Sequence, residues 1–234
     1  MFASFVVYAA LIVFAVGSFG ILWPRFMSRE MGALLGGGAL LVIVIALAWP
    51  VRESRVTTPA SRLDAFMPVW QFNERHATHV AAPPDKVFAA IRAVTADDIL
   101  FFRTLTAIRR GGRPLPPNIL DAPKSKPILD VATSTSFRYL ADDPPHELVV
   151  GTTVARGVDA TMNFLVTPDG SGGSNVSTET RVFAKTKRGA RQFAVYWRII
   201  HPGSDIIRRM WLRAIKKRAE AGSGLQFSVS FFKR

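Results

Sequence analysis

Four histidines, a charged pair in STETRV and a lone glutamate in HELVVG are the residues whose types could do chemistry in this chain. The histidines are His76, His79, His146 and His201. None sits in an HExxH pattern, and no cysteine is present to complete a zinc site, so no metal site is expected. His76 and His79 lie three apart on an extended run and point to opposite faces, which keeps them from sharing a ligand. A GxSxG nucleophile elbow, a GxxxxGK[ST] phosphate loop and a GxGxxG turn are all missing, so no catalytic constellation and no cofactor is expected. Glu179 and Arg181 stand at i and i+2 on a strand-like run and therefore share a face. On an inward face they would hold a carbonyl or carboxylate at a pocket wall. On an outward face they would be an exposed cross-strand charge pair. Glu147 carries the same two readings. Phe102, Phe137, Tyr139 and Trp197 are the aromatics that could line a cavity or simply fill a core.

The elements that must position these residues begin with two uncharged runs, 1–23 and 31–50. Each is long enough to cross about 30 Å of hydrocarbon as a helix. The first has no positive n-region and an apolar stretch longer than that of a secretory signal. Joined by the short PRFMSRE link, the two predict a transmembrane helical hairpin in which Gly17, Gly20, Gly32 and Gly36 allow close approach. Arg52, Arg55 and Arg62 follow the second span, against Arg25 and Arg29 in the link. By the positive-inside rule that places the C-terminal domain in the cytoplasm of a two-span membrane protein. Residues 51–68 read as a linker, 69–221 as a globular domain and 222–234 as a tail. The tail alternates Leu225, Phe227, Val229 and Phe231, which fits an edge strand, a membrane-touching segment or a disordered end.

Within the domain, WQFNERHATHV (70–80) alternates as a strand with Phe72, Glu74, His76, Thr78 and Val80 on one face. A short helix opens at Val87, and a second is expected from Thr95 as its cap. A Gly- and Pro-rich loop occupies 111–127. Strand-like runs at 135–140, 146–155, 160–167 and 175–184 follow at hairpin spacing. The chain then turns helical, with His201-Pro202-Gly203 interrupting and Ser204 expected to cap the last helix. Strand, two helices, an antiparallel meander and a long final helix make an α+β domain.

The formal net charge is +13, most of it after residue 50. Ten Lys or Arg fall in 186–220. In SDIIRRMWLRAIKKRAE (204–220), Ile207, Met210, Trp211, Ala214 and Ile215 form one apolar stripe. Arg208, Arg209, Arg213, Lys216 and Lys217 lie towards the other side and are expected on the surface, turned to the membrane. A nucleic-acid partner would leave the stripe unexplained and is not expected.

HVAAPPDKVFAAI (79–91), TSFRYLADDPPHELVVGTTV (135–154) and the block from STETRV to IKKRAE (177–220) resemble the START-like, or SRPBCC, superfamily, which includes polyketide cyclases and lipid-transport proteins. The resemblance covers about residues 68–221. It implies a helix-grip fold, a curved antiparallel sheet wrapped on a long C-terminal helix, with a cavity between them for a hydrophobic small molecule or lipid. A polyketide cyclase-like activity in the same cavity, or a membrane-bound interaction domain without a ligand, are the other functions open to such a fold.

Overall fold

The computed structural model describes residues 2–230, with side chains as far as residue 221. In chain order the helices are α1 (Phe2–Leu22), α2 (Arg29–Ala48), α3 (Arg62–Phe66), α4 (Pro84–Ala93), α5 (Phe102–Arg109), α6 (Ile128–Thr133) and α7 (Lys187–Ser230). The strands are β1 (Ser54–Arg55), β2 (Val69–Trp70), β3 (Phe72–Val80), β4 (Arg138–Asp143), β5 (Glu147–Ala155), β6 (Val158–Pro168) and β7 (Ser174–Ala184). They form two compact units, one of residues up to 52 with 186–202, the other of 53–185 with the chain from 203 onward.

In the first unit, α1 and α2 are each long and apolar enough to cross a membrane. Their backbones touch where glycine permits it. A Cβ on Gly17 would sit 2.6 Å from the Gly36 nitrogen, and one on Gly32 2.8 Å from the Gly17 carbonyl oxygen. Gly20 faces the Met27 side chain instead. Ser28 caps α2 by accepting from the Met31 amide at 3.2 Å. The far end of α2 is closed from a distance. The buried Arg198 guanidinium donates to the carbonyls of Leu47 and, at 2.7 Å, of Trp49. Those are groups that the last turn of any helix leaves without intrahelical partners. Tyr8 Oη donates to the Ile199 carbonyl at 2.6 Å, so the start of α7 is bound to both helices. Beside these contacts α7 exposes Val195, Tyr196 and Ile199, with Lys187, Arg188 and Arg191 a few residues earlier.

The second unit is built on a five-stranded antiparallel sheet of order β3-β7-β6-β5-β4. Strand alternation divides it into two faces. Val80, Leu148, Val150, Met162, Phe164, Val166 and Val176 share one face and pack with Trp211, Leu212 and Ile215 of α7, and with α4 and α6. Phe164 and Trp211 meet edge to face at 5.2 Å. A five-stranded antiparallel sheet against a long C-terminal helix is the α+β layout that the helix-grip resemblance implied. Its apolar interior is closed. Among the described residues, Trp211, Phe164, Leu148 and Ile215 each keep no more than 2% of their surface accessible, which leaves no water-sized space against them.

The opposite face is covered by residues 54–70, the segment expected as a linker. β1 pairs with β2, Ser54 opposite Trp70, and α3 lies between them. Two further differences have local causes. The helix expected from Thr95 starts only at Phe102, because Asp98 Oδ2 accepts the Thr95 amide at 2.8 Å and its hydroxyl at 3.0 Å and closes a turn there. Pro202 is carried inside α7 rather than ending it, and the Ser204 hydroxyl bonds a strand residue instead of capping. The α7 backbone is helical as far as Ser230, and the tail's expected side-chain pattern lies outside the described residues.

Candidate functional site: a polar cluster between sheet and helix

The inner face of the sheet is apolar at one end and polar at the other. On β3, alternation from the buried Phe72 turns Glu74 and His76 inward. The β3–β7 register sets His76 opposite Thr178 and Glu74 opposite Thr180, and the β6–β7 register sets Met162 opposite Thr180. Over this patch lie Ser204, Asp205 and Arg208 of α7, where Ser204 and Asp205 stand four and three residues before Arg208 and so adjoin it on one helical side.

The contacts are specific. His76 Nε2 lies 2.9 Å from Glu74 Oε1 and 3.4 Å from Asp205 Oδ1. The Ser204 hydroxyl donates to Glu74 Oε2 at 2.8 Å. Arg209 donates Nε to Asp205 at 2.8 Å from the solvent side. Glu74 is 1% exposed, and one donor atom from each of Glu74, His76 and Asp205 falls within 4.8 Å of the others. Thr178 is also 1% exposed, and its hydroxyl, like that of Thr180, has no hydrogen-bond partner among the described residues. Buried polar groups normally find partners, so these exceptions single out the patch as the candidate site.

Arg208 is the second anomaly. It was expected on the outer surface, but its guanidinium turns inward, touches Met162 Sδ and lies 5.4 Å from the Trp211 ring centroid. Ile207 and Trp211 pull that side of the helix onto the sheet, and Arg208 follows. Desolvation lowers its pKa below the ordinary arginine value. The Glu74 carboxylate offsets part of this, and Arg109 adds to it. No carboxylate among the described residues is within ion-pair distance of Arg208. Arg209, Arg213, Lys216 and Lys217 do face outward.

The other residues singled out from the sequence lie elsewhere. Glu147, Glu179 and Arg181 are on the outer face, where they bind the covering segment. Glu147 accepts the amides of Arg62 at 2.6 Å and Leu63 at 3.2 Å, at the start of α3, and Asn163 Nδ2 at 2.7 Å. Arg181 pairs with Asp64 at 2.8 Å and Glu179 at 2.7 Å, donates to the Met67 carbonyl and covers the Trp70 ring at 4.0 Å. Beside this clamp is an open groove of about 280 Å³ that includes Arg55, Thr58, Arg75 and Ser177. Phe102 is core, Phe137 lies at the core margin and Tyr139 is partly exposed. Trp197 belongs to the first unit, 5.9 Å from Phe193 and 5.4 Å from His201. The structure thus brings together Glu147, Glu179 and Arg181, with Phe102 and Phe137 on the opposite, core side of the sheet.

Sequence reading missed the Glu74–His76–Asp205 grouping. The signal was present in part, since Glu74 and His76 share a face with Val80. Asp205 is added only by the way α7 crosses β3, which no spacing in the sequence encodes.

No protein-family model matches the chain. A comparison with curated protein sequences finds no match either. Among solved structures, protein MLL2253 from Mesorhizobium loti is similar at 12% identity, covering 64% of this chain and 98% of that one, with a TM-score of 0.35. CalU16 from Micromonospora echinospora is similar at 17% identity, covering 75% and 96%, with a TM-score of 0.30. Ara h 8.0201 is similar at 13% identity, covering 64% and 98%, with a TM-score of 0.35. Likenesses this distant carry no argument, and the fold and site described above rest on this chain's own geometry.

Proposed function

We propose that this chain is a membrane-anchored binding domain for a small acidic amphiphile, taken at the polar end of the sheet–helix interior. The observation that carries the reading is Arg208, a half-buried guanidinium turned toward the sheet with no carboxylate at ion-pair distance among the described residues. Partly withdrawing a cation from water with only the more distant Glu74 carboxylate to offset it is costly, and a ligand carboxylate or phosphate would supply a direct partner. The Thr180 hydroxyl, opposite Met162 in register, has no partner among the described residues and would donate to the same anion. The partly buried Ile207, Met210 and Phe137 offer apolar contact to the remainder of the ligand. The closed core beyond them limits it to a short apolar portion unless Trp211 moves. Anchoring is assigned to α1 and α2, with the exposed Val195, Tyr196 and Ile199 of α7 as a further lipid contact.

The test is titration of the full chain, purified in a non-ionic detergent, with octanoate and octyl phosphate, followed by tryptophan emission and native mass spectrometry. Binding of either, weakened roughly thirtyfold or more in Arg208→Met, is expected. No binding of either, or equal binding by the variant, overturns the reading. The filled apolar interior favours the second reading, a membrane-bound interaction domain without a small ligand, and failure to bind would leave that one standing.

A further inference from the structure

The anion reading uses Arg208 and Thr180, and leaves the other half of the cluster unexplained. Glu74 and Asp205 bring two carboxylates to one imidazole nitrogen, at 2.9 and 3.4 Å. At most one proton on His76 Nε2 is available to lie between them. Two buried or half-buried carboxylates held this close repel each other unless a cation stands between them. Arg209 grips Asp205 from outside, through Nε to Oδ2 at 2.8 Å and Nη2 to Oδ1 at 3.2 Å, and Ser204 holds Oε2 of Glu74, so Asp205 Oδ1 and Glu74 Oε1 are fixed facing His76. Independently, the Thr178 hydroxyl, 1% exposed and opposite His76 in register, has no partner among the described residues.

We propose that Glu74, His76 and Asp205 form a binding site for one divalent transition-metal ion, with Thr178 Oγ1 bonded to a water on that ion. The three ligand atoms lie within 4.8 Å of one another, close enough for one ion to touch all three after small side-chain rotations. One imidazole nitrogen and two carboxylate oxygens suit Mn²⁺, Fe²⁺, Co²⁺ or Zn²⁺ better than Ca²⁺ or Mg²⁺, which take oxygen almost exclusively. The carboxylates neutralise the ion's charge. Arg208 stays outside the ion's ligand set as a positive charge near the site, which an anionic ligand beside the metal would complete. The metal site stands without that ligand, because all three donors come from the protein.

The experiment uses the full chain in non-ionic detergent, stripped with a chelator and titrated with Mn²⁺, Co²⁺ and Zn²⁺ separately by calorimetry, with no amphiphile added. Co²⁺ is also followed by its visible absorption. One equivalent per chain is expected for at least one of these ions. His76→Gln and Asp205→Asn should each weaken it roughly tenfold or more. His79→Gln, whose imidazole pairs with Asp169 on the surface, should leave it unchanged. Thermal unfolding of the metal-free variants shows whether they are folded. If His76→Gln is not, Asp205→Asn decides, since Asp205 is partly exposed on a helix. No binding by the unaltered chain, or undiminished binding by the folded variants, overturns the site. Loss of metal binding leaves the Arg208 titration unaffected as a test, so the two proposals fail separately.

Discussion

Arg181 donates to Asp64 and Glu179 while lying over Trp70; Arg181 and Asp64 are buried, and Glu179 and Trp70 are partly so. Removing one partner of a buried pair leaves the other charge uncompensated. Arg181→Met is therefore expected to lower the unfolding free energy by about 3 kcal/mol, read from denaturant titration of tryptophan emission. The same clamp sets an acid limit. Desolvation alone would raise the Asp64 pKa, but the Ala60 amide, the Arg181 guanidinium and Ser61 outweigh it and hold the carboxyl below its usual value. The folded state thus binds fewer protons there than the unfolded one. This contribution to stability is complete above about pH 4 and is lost as pH falls through the depressed value. Proteolysis between residues 54 and 70 should accelerate in that acid range, and in Asp64→Asn should be fast and much less dependent on pH. The i, i+2 spacing of Glu179 and Arg181 showed that they share a face. Which face it was, and that a segment over a hundred residues earlier would bury it, depended on contacts that no local pattern records.

At the level of elements, the inner strands were legible because alternation between a buried and a less buried face survives in the sequence. The last helix was legible because its stripe recurs at helical spacing. Pro202 was misleading. A proline removes one backbone hydrogen bond, and packing on both sides of it keeps α7 helical regardless. The α1–α2 contact offers a direct comparison of glycines. A side chain at Gly17 would strike the backbone of α2, whereas Gly37 has open space. Gly17→Leu is expected to splay the hairpin and lower the thermal midpoint in detergent by several degrees, with Gly37→Leu close to neutral. Equal midpoints for the two variants would show that the close approach contributes nothing.

For the whole molecule, charge and hydropathy foretold two helices able to cross a membrane and a basic domain, and the domain's surface arginines and lysines fit that outline. The interior did not follow the expectation of an open cavity, since Trp211 and Phe164 occupy it. Topology can be tested directly because the chain has no cysteine. In intact cells, Lys217→Cys should resist a membrane-impermeant maleimide and react after permeabilisation. Labelling before permeabilisation would place the domain outside the cytoplasm.

The bonds from Arg198 to the end of α2 span about 150 residues of sequence, Leu47 to Arg198 being 151 apart. A ribosome adding roughly 5–20 residues per second releases that arginine some eight to thirty seconds after the carbonyls it serves. Throughout that interval the carbonyls at the end of α2 lack the arginine that serves them in the folded chain, and every strand of the sheet is made before it arrives. Closure of α2 therefore comes late in synthesis, after every strand of the sheet, and a single distant side chain ties the end of an early helix to the first half of the last one.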